Sequence, residues 1–145
     1  MNKKTIRIML VEDHIGYRQT IAIALEQNEN MELTSQFGTA EIALRSIQNA
    51  APENQLDVIL LDLNLPGMSG LEALPWIKQY APDSEVIILT QSDNAADVTR
   101  AITEGAAGYL LKSATFKEIT EGIQTVMEGG ATLDPEVARF IINSL

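Results

Sequence analysis

The stretch Val58-Ile59-Leu60-Leu61-Asp62-Leu63-Asn64-Leu65-Pro66-Gly67-Met68-Ser69-Gly70 changes character at residue 62. Four consecutive branched apolar residues, rather than an alternation, mark a strand buried on both faces of a parallel sheet. The carboxylate that follows then stands at the carboxyl end of that strand, the edge at which open α/β sheets bind ligands. Ser69 and Glu72 form a capping-box pattern, which predicts a helix opening there. Working outward, Ile6–Val11 (IRIMLV) and Val86–Leu89 (VIIL) are similarly continuous, and Tyr109–Leu111 (YLL) is a shorter run of the same kind.

Helical spacing fills the intervals: Tyr17, Ile21, Ala24, Leu25; Ala40, Ala43, Leu44, Ile47; Val98, Ala101, Ile102, Gly105; and Phe116, Ile119, Ile123, Val126. In MELTSQF, Met31, Leu33, Ser35 and Phe37 alternate with polar residues, the pattern of a half-exposed edge strand with those four on one face. A β-α unit repeated about five times with right-handed crossovers gives a doubly wound, flavodoxin-like α/β fold. The expected sheet is parallel and five-stranded, in the order 2-1-3-4-5, with helices on both faces. Thr115 and Glu118 form a second capping box, and Gly129-Gly130 supply a stop for the helix begun there. Pro75 removes a helical hydrogen bond and predicts a kink. Asp134-Pro135 predicts a short terminal helix, so residues 1–130 read as the domain and 131–145 as a linker with a short helix. Trp76 and Met127 read as packing residues.

The length of 145 residues suits one core. Ten Lys plus Arg against twenty Asp plus Glu leave a net charge of −10, which argues against direct nucleic-acid binding by this segment. The absence of Cys and the single His exclude thiol chemistry, disulfides and a His-rich metal cluster. No stretch approaches the roughly 20 apolar residues of a membrane span and no secretory signal is evident, so a cytoplasmic protein without membrane contact is expected.

The topology gathers polar groups at one edge: Glu12 and Asp13 after the first strand, Asp62 after the third, Thr90 at the end of the fourth and Lys112 after the fifth. Three carboxylates about 5 Å apart repel by roughly 3 kcal/mol per pair at an effective dielectric near 20, so the cluster calls for a cation. All-oxygen ligands, with a backbone carbonyl near Asn64, favour Mg²⁺. Such an ion together with the Lys112 ammonium can neutralise an incoming phosphoryl group, which makes Asp62 the candidate nucleophile. Taken singly, Asp13 also fits a helix N-cap, Asp62 a turn residue and Tyr109 a packing residue, and His14 reads as an exposed loop residue rather than a ligand.

These residues make the chain resemble a response-regulator receiver domain of bacterial two-component signalling, over residues 5–128. The resemblance lies in MLVEDH, VILLDLNLPGMSGLEAL, VIILTQSD and GAAGYLLKS. It implies that Asp62 accepts a phosphoryl group from a sensor histidine kinase. It implies, too, that Glu12, Asp13, Asp62 and the Asn64 carbonyl hold Mg²⁺, and that Lys112 contacts the phosphoryl oxygens. Thr90 and Tyr109 would be switch residues that remodel the face formed by the fourth helix, fifth strand and fifth helix, where a phosphorylation-dependent homodimer would form. Such a domain is a phosphoacceptor rather than an enzyme acting on a separate substrate. EDHIGYR and GGATLDPEVARFI resemble the LuxR/NarL class of transcription regulators, which implies a helix-turn-helix DNA-binding output domain outside this segment. Gln91, bulkier than the usual residue beside the switch Thr, and Pro75 depart from the family pattern. The alternatives are a stand-alone or phosphorylation-independent interaction module and a haloacid-dehalogenase-type phosphohydrolase. The latter needs a second Asp where this chain has Asn64, and a nucleotide or flavin carrier would need a glycine-rich loop where it has EDHIGY.

Overall fold

A computed structural model describes residues 5–145. The strands are β1 (Ile6–Val11), β2 (Met31–Phe37), β3 (Val58–Leu61), β4 (Glu85–Thr90), β5 (Gly108–Leu111) and β6 (Thr132–Leu133). The helices are α1 (Ile15–Glu26), α2 (Ala40–Gln48), α3 (Gly70–Tyr80), α4 (Ala95–Thr103), α5 (Phe116–Met127) and α6 (Pro135–Asn143), with one 3-10 turn at Pro52–Asn54. All strand pairs are parallel and the order is β2-β1-β3-β4-β5-β6.

Successive side chains of a strand point to opposite faces, and the core divides accordingly. Ile8, Leu10, Val58, Leu60, Ile87, Leu89 and Leu110 pack with Ile21 and Leu25 of α1 and Ile119, Ile123 and Val126 of α5. Met9, Val11, Ile59, Leu61, Val86, Ile88 and Tyr109 face the other way, against α2, α3, α4 and Val137 of α6. A sheet covered on both faces is what the continuous apolar runs require.

Three expectations need correction. The sheet has six strands, not five: Thr132 and Leu133 pair with Gly108 and Tyr109. Two residues carry no periodicity, so the sixth strand is invisible locally. The room for it comes from elsewhere, because a Cβ on Gly108 would lie 2.5 Å from Thr132 Cγ2 and one on Gly122 would lie 2.9 Å from Thr132 Oγ1. Next, the β2 side chains do not share one face. The register slips between Ile8↔Leu33 and Met9↔Ser35, and the extra residue, Thr34, donates its hydroxyl to the Ile8 carbonyl at 3.1 Å. Met31 and Leu33 therefore pack on the α1/α5 side and Phe37 on the opposite side.

Helix α3 runs from Gly70 to Tyr80 as one element with Pro75 inside it. Both expected capping boxes form, Ser69 with Glu72 and Thr115 with Glu118, and the first of them anchors α3 upstream of the proline. Last, Trp76 is 46% exposed and stacks on Tyr80 at the surface, whereas Met127 packs at the core margin as expected. Gly129 ends α5 at φ +91°, a left-handed conformation that glycine adopts without a Cβ penalty. Among the described residues no helix is long and apolar enough to cross a membrane.

Candidate phosphoryl and metal site

The chemistry of the carboxyl edge starts with charges that burial would make costly were they alone. Glu12 and Asp62 are 1% and 3% exposed, and Lys112 lies between them. Its Nζ is 2.5 Å from Glu12 Oε1 and donates to Asp62 Oδ2 at 2.9 Å. The second oxygen of each acid accepts a backbone N–H, His14 N–H onto Glu12 Oε2 at 2.9 Å and Asn64 N–H onto Asp62 Oδ1 at 3.2 Å. Burial pushes the Glu12 carboxyl above its ordinary range, against the lowering pull of Lys112 and the His14 N–H. Burial opposes the Lys112 charge as well, but Glu12 and Asp62 together outweigh it, and the ammonium is held more firmly protonated than a free lysine.

Asp13 is exposed, yet oxygens of Glu12, Asp13 and Asp62 lie within 4.8 Å of one another. One ammonium among three carboxylates leaves a net negative cluster. At that spacing each like pair repels by roughly 3 kcal/mol at a dielectric near 20. The donor set is all oxygen, hard and partly open to solvent, which fits Mg²⁺ rather than a softer ion. An open cavity of about 610 Å³ gives access, lined by Asp13, His14, Tyr17, Asp62, Asn64, Gln91, Asp93 and Lys112 among others.

Close packing brings Asp62 to this cavity. A Cβ on Gly70 would sit 2.2 Å from the Asp62 carbonyl, so α3 begins in contact with the loop that carries the acid. Thr90 and Tyr109, by contrast, stand behind the cavity, both fully buried. Thr90 Oγ1 accepts the Ser92 N–H at 3.4 Å, while the Tyr109 hydroxyl donates to the Ser92 carbonyl at 2.7 Å. Burial, with Asp97, Asp93 and Asp62 nearby, pushes the Tyr109 phenol up to about 12 despite that hydrogen bond. Ser92 Oγ in turn donates to Asp97 Oδ2 at 2.7 Å. Of the expected residues, Gln91 thus lines the cavity wall, while Thr90 and Tyr109 are buried and joined through the backbone of Ser92.

Two residues near the acids escaped sequence reasoning. His14 is the N-cap of α1, its Nδ1 accepting the Tyr17 N–H at 3.0 Å, so Asp13 is not the cap. Tyr17, legible only as one member of an apolar stripe, turns its ring to Lys112, with Nζ 4.8 Å from the ring centroid. The available signal was the spacing His14-x-x-Tyr17, which places both residues in the first turn beside Glu12.

The family model for the response regulator receiver domain matches residues 8–124. The chain is 31% identical over 142 residues to the transcriptional regulatory protein DegU of Brevibacillus brevis, covering 98% of this chain and 58% of that protein. It is 33% identical over 135 residues to the nitrate/nitrite response regulator protein NarP of Escherichia coli (strain K12), covering 93% and 61% respectively. Among solved structures, a LuxR-family two-component response regulator from Aurantimonas sp. SI85-9A1 superposes with a TM-score of 0.87 at 29% identity, over 97% of this chain and 98% of that one. The chain spans about three-fifths of the length of the curated relatives it matches.

Proposed function

We propose, for a chain that belongs to the response-regulator receiver domain family in its LuxR/NarL class, that Asp62 accepts a phosphoryl group from a sensor histidine kinase. The observation that carries this reading is Lys112 bridging Glu12 and Asp62 beside an open, acid-lined cavity. An Asp62 carboxylate oxygen attacks phosphorus, the bond from phosphorus to the donor imidazole nitrogen breaks, and the imidazole leaves with that electron pair. An acyl phosphate remains on Asp62.

Glu12, Asp13, Asp62 and the Asn64 carbonyl would hold Mg²⁺, which when bound supplies positive charge to the acids and the phosphoryl oxygens. Lys112 moves its hydrogen bond from the Asp62 carboxylate to a phosphoryl oxygen. Thr90 gives up the Ser92 N–H to hydrogen-bond the same group. Because Ser92 also accepts from Tyr109, one residue links the hydroxyl to the aromatic ring. Phosphorylation shifts the equilibrium only so far as the phosphoryl group favours one of these arrangements.

The output lies at the α4-β5-α5 face, through which a phosphorylation-dependent homodimer forms. Helix α6 packs against α4, one of the two helices of that face. Residues 1–130 carry the phosphoacceptor site, and residues 131–145, whose β6 and α6 pack on the same core, lead toward a helix-turn-helix DNA-binding domain, the segment itself making no direct nucleic-acid contact. The test is the intact-protein mass after incubation with a small acyl phosphate and Mg²⁺. One phosphoryl adduct is expected, lost with chelator and in Asp62→Asn. A folded protein that takes no adduct from two different donors would instead favour a phosphorylation-independent interaction module.

A further inference from the structure

We propose that Tyr17 is a positioning residue that holds the Lys112 ammonium over the acid pair. Four contacts close a ring of residues. Glu12 Oε2 accepts the His14 N–H, His14 Nδ1 accepts the Tyr17 N–H, the Tyr17 ring lies 4.8 Å from Lys112 Nζ, and Lys112 returns to Glu12 Oε1. The helix cap therefore fixes the backbone of Tyr17, and the aromatic face lies within the distance at which an ammonium is attracted to a ring.

The contact matters because a lysine has a long, flexible stem and, among the described residues, its other side-chain anchors are the Glu12 and Asp62 carboxylates. A cation that neutralises Glu12 and Asp62 loosens both anchors and leaves the ring contact unchanged. The ring is a neutral partner, since burial raises the Tyr17 phenol above its ordinary value. Pinned in this way, the ammonium stays within reach of the entering phosphoryl oxygens rather than turning toward solvent across the cavity that Tyr17 also lines.

This inference rests on the reading of Asp62 as phosphoacceptor, and the experiment keeps the two apart. The full chain is compared with Tyr17→Phe, Tyr17→Leu and Tyr17→Met, the last closest in flexibility should leucine disturb folding. In the resting protein, the Lys112 ε-methylene protons should show a ring-current shift in wild type and Tyr17→Phe that is lost in the two aliphatic variants. The rate of adduct formation with acyl phosphate and Mg²⁺ should fall about two- to fivefold in the aliphatic variants and be retained with phenylalanine. In a Lys112→Ala background the aliphatic substitutions should change the rate no further, which a merely structural role would not produce. Equal rates in all Tyr17 variants, a loss in Tyr17→Phe equal to that in Tyr17→Leu, or an undiminished effect without Lys112 would each overturn the proposal while leaving Asp62 as acceptor. Absence of any adduct in wild type would overturn the Asp62 reading, and this proposal with it.

Discussion

At the carboxyl edge Glu12 and Asp62 are buried because the half-buried Lys112 compensates them, whereas at the C-terminal end Thr132 is seated because other residues leave room for it. In the first region each functional group announces itself: a carboxylate or an ammonium directly after an apolar run is costly to bury and calls for a partner. In the second, the decisive residues are Gly108 and Gly122, whose contribution is a missing side chain at another place in the sequence from the strand it admits. Attraction leaves a signature at its own position, and accommodation leaves one somewhere else.

This difference can be tested from its strongest consequence downward. Gly70→Ala, which forces a Cβ into the Asp62 carbonyl, joins both kinds of construction and should cost about 3 kcal/mol while slowing adduct formation; thermal unfolding and intact mass report the two. Val137→Ala should cost about 2 kcal/mol, read as a lower urea midpoint, and leave the initial rate of adduct formation unchanged. A slowed adduct in that variant would show that the two regions are energetically one. Tyr109→Phe should cost about 1 kcal/mol through the lost bond to the Ser92 carbonyl, and should blunt phosphorylation-dependent changes in α4 amide exchange.

The smallest effect lies at the start of α5. The Thr115 N–H, and then its hydroxyl, hold the Glu118 carboxyl below its ordinary value of 4.5. A depressed carboxylate contributes stability that is complete above that value and is lost as pH falls through the lower folded one. The gap in urea midpoint between wild type and Glu118→Ala should therefore narrow on acidification below about pH 4.5.

Much of this was legible from residue order. The two-sided burial of β3 and β4, both capping boxes, the edge placement of β2 and the convergence of Glu12, Asp13, Asp62 and Lys112 follow from local pattern and topology. The Thr34 bulge was not legible, because a register slip depends on the partner strand and reverses every side chain beyond it. Nor was the shared use of Ser92 by Thr90 and Tyr109, since a backbone group accepts or donates whatever its side chain. Tyr17 illustrates a third case, in which one side chain satisfies the helical stripe and the charged site at once, and the apolar pattern conceals the polar role.

The bulge and the brevity of β6 have a consequence for how copies of the protein meet in concentrated solution. Unpaired backbone along a flat outer strand is a template for intermolecular β-pairing and aggregation. One border of this sheet is bent at Thr34 and carries exposed Glu32 and Gln36. The opposite border offers only Thr132 and Leu133 before Asp134 turns into α6 and Pro135 presents no N–H. Neither border gives a second sheet a long, straight row of donors and acceptors to extend.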